Sequence, residues 1–198
     1  MQMPTAEVVL ERMVRAVEMV RDRLLRATAG LEAASVPYAV TGDQAVAAWV
    51  ATADKSAVRN SPEVEILIRR ADLMRTRDVL ELAGFSYKVD SLGPIFLDRP
   101  FAADRDSVRI LFAGEKTRPT DFLPNPDVEG PVRTPQFWSL NLGPLVLMCL
   151  SSFRTVDRLR IRDLIDVGIL NELWLELLRP NPTELIERFR TILDNPDA

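Results

Sequence analysis

Short apolar strands alternating with amphipathic helices, followed by helices alone, predict a layered α/β or α+β fold. Three observations carry this expectation. Residues 5 to 33 repeat apolar side chains at helical spacing. Short runs rich in β-branched and aromatic residues follow, punctuated by glycine and proline. From Leu145 onward only helical periodicity remains.

The first element is a long helix over Thr5 to Ala33. Leu10, Met13, Val14, Val17, Val20, Leu24 and Leu31 form its apolar stripe, expected to lie on the core. Arg12, Arg15, Arg23, Arg26, Glu11 and Glu18 fall elsewhere on the wheel, toward water. Arg21 sits at the stripe edge, where its stem can cover apolar surface. Val36 to Val40 reads as a strand, Thr41-Gly42-Asp43 as a turn, and Gln44 to Val50 as a short alanine-rich helix. A polar loop over Thr52 to Pro62 leads to a second strand, Glu63 to Ile68. A helix over Asp72 to Ala83, with Leu73, Leu80 and Leu82 as its apolar contacts, ends at Gly84.

Phe85 to Val89 and Pro94 to Leu97 read as a hairpin, followed by a charged loop over Phe101 to Asp106. Ser107 to Phe112 is the clearest later strand. Proline-rich Thr117 to Pro135 reads as an ordered irregular crossing, because Phe122 and Leu123 give it something to bury. A buried helix over Leu145 to Phe153 comes next. It is followed by an amphipathic helix over Val156 to Val167, with Leu159, Ile161, Leu164 and Ile165 inside and Arg158, Arg160 and Arg162 largely outside. Glu172 to Leu178 is a short helix stopped by Pro180. A last helix, capped by Asn181 or Thr183, runs to about Leu193.

Composition narrows the function. At 198 residues, 47% apolar and 27% charged, the chain can bury a real core as one medium domain or a small domain with an appendage. A formal charge of -4 disfavours general nucleic-acid binding, which needs a basic face. Cys149 is the one cysteine, so no intrachain disulfide exists, and its apolar surroundings mark it as a packing thiol. The absence of histidine removes mixed zinc sites, histidine triads and a histidine general base. Met1 to Thr28 is a charged amphipathic pattern rather than a secretory leader, and no apolar run is long enough to span a bilayer. The expectation is a cytoplasmic protein without membrane contact.

The run Ser61-Pro62-Glu63-Val64-Glu65-Ile66-Leu67-Ile68 carries the chemistry. In a strand, Glu63 and Glu65 share one face, roughly 6.6 Å apart along the backbone. Paired acids repel unless they meet water or a cation, and Mg²⁺ favours carboxylate oxygens together with substrate phosphates. A solvated acidic face is the simpler reading of this spacing. Gly42 lets backbone amides approach a phosphate, whereas Asp43 reads more simply as an acid at a helix start.

With these residues in order, the stretch from Val36 to Phe85 resembles the core of the nucleotidyltransferase-like superfamily, in particular its small bacterial members. That pattern is a strand ending in a glycine pair, a short helix, Thr-x-Asp-x-Asp with aliphatic residues after it, and a helix ending near Gly-Phe. Gly42-Asp43, Ser61, Glu63, Glu65 and Gly84-Phe85 stand at the corresponding places. Leu145 to Gly168, with Arg154, Arg162, Asp163 and Asp166, resembles the helical region that follows such cores.

The resemblance implies an α+β fold: a mixed sheet with packed helices over residues 1–135 and a helical C-terminal region over 136–198. It implies Mg²⁺ held by Glu63 and Glu65, and nucleotide phosphates near Gly42, Asp43, Ser61 and Lys116. Arg109 would offset developing charge. The reaction would move a nucleoside monophosphate from a nucleoside triphosphate to a hydroxyl or phosphate acceptor.

The chain departs from the pattern in four places. Asp43 replaces the second glycine. Both metal acids are glutamates. Arg109 stands where a third acid is expected, able to bind phosphate or to pair with Glu63 or Glu65. Cys149 stands where relatives often have lysine. Two functions follow: a Mg²⁺-dependent nucleotidyltransferase, or a catalytically inactive binding or interaction module on the same fold. Either can take a small phosphorylated ligand, and the first helix or the C-terminal helices can form a homodimer face.

Overall fold

Strands form where β-branched and aromatic residues cluster, and helices where apolar residues recur every three to four positions. The computed structural model describes residues 5–99, 102–104 and 106–195. Its order is α1 (Ala6–Ala33), β1 (Tyr38–Thr41), α2 (Gly42–Ala53), β2 (Val64–Ile68), α3 (Leu73–Leu82), β3 (Ser86–Asp90), β4 (Gly93–Leu97) and β5 (Ser107–Phe112). There follow β6 (Val132–Arg133), β7 (Trp138–Ser139), α4 (Leu142–Ser152), α5 (Thr155–Asp166), α6 (Trp174–Leu177) and α7 (Thr183–Asp194). The fold is α+β, as expected. Of the charged loop predicted over Phe101 to Asp106, Phe101 and Arg105 lie outside the described residues, as do Met1 to Pro4.

The strands make one mixed sheet in the order β3-β4-β5-β2-β1-β7-β6. β1 and β2 are antiparallel, with Thr41 opposite Glu65, whereas β2 and β5 are parallel, with Glu65 opposite Arg109. β7 adds in parallel to the other side of β1, so the segment after residue 135 begins with a sheet strand before turning helical. The crossing before it is otherwise irregular, as predicted. Side chains pin it: Asn125 Nδ2 donates to the Phe112 carbonyl at 3.1 Å, and Leu123 N–H donates to Ser151 Oγ at 2.6 Å.

Strand alternation divides the interior into two cores. Tyr38, Val40, Val64, Ile66, Ile68, Val108 and Ile110 face α1 and α3. Ala39, Leu67 and Leu111 face the other way, toward α2, α4, α5 and α7. Glu65 has the same parity as Leu67, so it points toward the C-terminal helices.

Several predicted positions are corrected. Only the second half of the α1 stripe is core: Leu24, Ala27 and Leu31 are buried, whereas Leu10, Met13, Val14 and Val17 are exposed because that half of the helix runs past the body. Arg23, expected in water, is fully buried. It donates to the Pro62 carbonyl at 3.1 Å and pairs with Asp98 and Asp106, pinning α1 to the loop that enters β5. Leu82 and Leu159, expected inside, are exposed, and Arg160, expected outside, is buried. On α5 the covered stripe is Asp157, Arg160, Ile161 and Leu164, one position round from the predicted one. The last helix takes Pro182 at its N-cap position, and Asn181 Nδ2 instead donates to the Leu178 carbonyl at 3.2 Å.

Candidate functional site

The predicted acids do come together, at the C-terminal end of β1 and the start of β2. Thr41 ends β1 and Gly42 opens α2 with φ +61°, a left-handed conformation that favours glycine. That turn places Asp43 in the first turn of α2, buried beside β2. Gln44 Nε2 donates to the carbonyls of Ser61 and Glu63, both at 3.1 Å, tying α2 to the segment that enters β2. The Ser61 hydroxyl donates to Asp43 and accepts from Glu63 N–H at 3.3 Å.

The centre of this cluster is Arg160 of α5. Its Nε donates to Asp43 Oδ1 at 2.8 Å, and its Nη1 to Asp157 Oδ1 at 3.0 Å. Its Nη2 donates to Glu65 Oε2 at 3.0 Å and, more loosely, to Glu63 Oε2 at 3.5 Å. Four carboxylates thus surround one guanidinium whose side chain is 4% exposed. Asp157 is held in turn by Ser152 Oγ at 2.5 Å and by Arg154, through its backbone N–H at 3.2 Å and Nε at 2.9 Å. Arg59 bridges the rim, 3.0 Å from Asp163 Oδ2 and 3.7 Å from Asp43 Oδ1.

The charges are distributed unevenly. For Asp43, burial pushes the carboxyl up, but the hydrogen bond and charge of Arg160, helped by Ser61 and Arg59, prevail and hold it below its ordinary value. Burial works against the charge of Arg160, yet Glu65 and Asp43 keep it more firmly protonated than a free guanidinium. Glu63 moves the opposite way. Burial, and then the neighbouring Glu65 charge, raise its carboxyl above the ordinary range. At 56% exposed, it is the member of the cluster that reaches solvent.

Gly42 has a second constraint besides its turn. A Cβ there would sit 1.9 Å from Glu65 Oε2 and 3.1 Å from Arg160 Nη2. The close approach this glycine permits is therefore made by the chain's own carboxylate and guanidinium.

In front of the cluster lies a cleft of about 330 Å³, bounded by Glu63, Glu65, Arg109, Arg154 and Arg160 and by the apolar Leu92, Leu123 and Met148. Arg109 faces this cleft, beside Glu65 in the sheet, but its guanidinium forks onto Asp90, at 3.0 Å to Oδ1 and 2.6 Å to Oδ2. That bidentate pair holds Asp90 low and Arg109 high. Lys116 is not brought to the cluster; it is exposed beside a neighbouring hollow with Arg70 and Phe112. Cys149 lines the cleft wall as a buried thiol, which burial makes hard to ionise. Sequence reasoning missed Asp157 and Arg160. The available signal was their i, i+3 spacing on the same stripe as Ile161 and Leu164.

The donor set does not fit the resident Mg²⁺ implied by the resemblance. Asp43 and Glu65 direct oxygens at Arg160, so a cationic group already lies among the atoms that would coordinate a second cation. Among the described residues, no group of three or more His, Cys, Asp or Glu side chains is arranged to hold a metal ion.

Comparison with known proteins returns little. No family model matches the chain, and no curated protein does. Among solved structures, the chain is similar to the antibiotic-resistance factor ANT(2'')-Ia. The identity is 12% and the TM-score 0.45, over 92% of this chain and 85% of that one. Among the described residues, no helix is long and apolar enough to cross a membrane.

Proposed function

We propose that this chain is a nucleotidyltransferase-like protein that does not transfer nucleotides and works as a binding or interaction module. The observation that carries the reading is the Arg160 guanidinium, bonded to Asp43, Asp157 and Glu65 where a catalytic cation would be needed. The turn at Gly42 supports it, because Glu65 and Arg160 occupy the space beside that glycine. Two of the cations that line the cleft are also engaged, Arg109 by Asp90 and Arg154 by Asp157. An incoming triphosphate would have to compete for them while approaching Glu63 and Glu65.

Nucleotidyl transfer is the second reading, favoured by the open cleft in front of the half-exposed Glu63. Titration calorimetry with each nucleoside triphosphate, at millimolar concentration with Mg²⁺ or Mn²⁺, separates the two. The module reading expects no metal-dependent heat and no pyrophosphate release. Metal-dependent binding that Glu63→Ala weakens would overturn it in favour of the transferase.

A further inference from the structure

The first half of α1 exposes a broad apolar face. Leu10 and Met13 are each 62% exposed and Val14 51%, with Val9 and Val17 beside them. At about 100° per residue, Leu10, Met13, Val14 and Val17 lie on the same side of the helix as Val20 and Leu24. That side continues inward: Leu24 and Leu31 belong to the core. Where the helix reaches the body, the same face forms one wall of an apolar groove of about 510 Å³. Val17, Val20, Arg21 and Leu24 line it opposite Ala48 of α2 and Phe137.

Stripe and groove are adjacent along one helix, and this makes the surface self-complementary under a two-fold axis. If two α1 helices pack antiparallel and cross between Val14 and Arg15, residues 6–13 of one copy lie beside residues 16–23 of the other. Leu10 and Met13 of one copy then face Val20 and Val17 of the other, at the mouth of its groove. The same alignment sets the carboxylate of Glu7, exposed on one flank of the stripe, against the guanidinium of Arg21 on the groove edge of the other copy. This charge match selects the antiparallel arrangement and a second copy of this chain as the occupant. We propose that the chain forms a two-fold dimer through antiparallel α1 helices, each protruding half filling the groove of the other copy.

Neither the cleft nor its Arg160 cluster takes part, so the dimer stands or falls independently of the function proposed above. Cysteine placement tests the geometry directly. Val14→Cys is expected to form an intermolecular disulfide under mild oxidation, because the axis passes near it, whereas Val8→Cys on the opposite face is not. Cys149 is buried and does not interfere. By sedimentation equilibrium the chain is expected at twice its 22.3 kDa mass. Met13→Asp should shift it to monomer with unchanged helix content, since Met13 touches no core. Arg21→Glu should weaken the dimer at least tenfold, and adding Glu7→Arg should restore it. A monomer at 100 µM overturns the proposal, as does binding of the α1 face to lipid vesicles by a monomeric chain. A dimer that Met13→Asp leaves intact, or equal crosslinking at positions 8 and 14, overturns it as well.

Discussion

Arg160 decides the chemistry of the cluster. A buried guanidinium with three close carboxylate partners is satisfied only while all of them remain, and it is the one cation that the three share. Arg160→Met keeps much of the side-chain volume and removes the charge. It leaves Asp43, Asp157 and Glu65 facing one another, and should reduce stability at pH 7 by about 3–5 kcal/mol. Millimolar Mg²⁺ or Mn²⁺ should recover part of that loss in the variant and do nothing for the parent, because only the variant has uncompensated carboxylates. Urea unfolding with and without the cation reads both effects. An unchanged midpoint in the variant would show that the cluster contributes no stability.

The junction of β1 and α2 is where an element boundary and the site coincide. Gly42 and Gly114 both adopt positive φ, +61° and +73°, but a Cβ at Gly114 meets nothing within 4 Å. Gly114→Ala should therefore lose only the backbone term, about 1 kcal/mol. Gly42→Ala adds a collision with Glu65 and Arg160, and should cost at least twice as much. Comparing the two urea midpoints isolates the close approach from the turn. Equal losses would mean that Glu65 moves aside freely and that the cluster is looser than its distances indicate.

Across the whole molecule, shifted carboxyls of opposite sign shape stability against pH. Asp43 and Asp90 titrate below the ordinary 3.8 when folded, so their contribution is complete above that value and is lost as pH falls through the folded values. Glu63 titrates above its ordinary 4.5 when folded. In the window above 4.5 the folded state therefore binds more protons than the unfolded one, and stability falls as pH rises through it. Stability should increase modestly as pH falls from neutral toward the ordinary carboxyl range, then drop steeply below it. Glu63→Gln should raise stability at pH 7 and flatten the upper limb while leaving the acid limb in place. A series of urea midpoints between acid and neutral pH checks the sign of each limb.

Much of this was legible in the chain because local rules govern it. The period-two pattern of Glu63 to Ile68 put Glu63 and Glu65 on one face. The turn at Gly42 followed from a glycine between strand and helix, and β5 appeared at Ser107–Phe112 as predicted. The order of such segments narrowed the class to α/β or α+β, and the family resemblance selected α+β. Three-dimensional structure alone decided which charges meet. Asp43 and Arg160 are 117 residues apart in sequence, and Arg160 and Glu65 are 95 apart. Periodicity assigns an arginine to water by default, and it carries no information about carboxylates that another segment brings to the same place. The exposed half of α1 escaped for the same reason, since a helix stripe records that a face is apolar and not where the body beneath it ends. Local sequence determined that two acids would share a strand face and that a glycine would turn the chain after β1, whereas packing decided that they share a cleft and, through α5 against β2, that the cation among them is the chain's own.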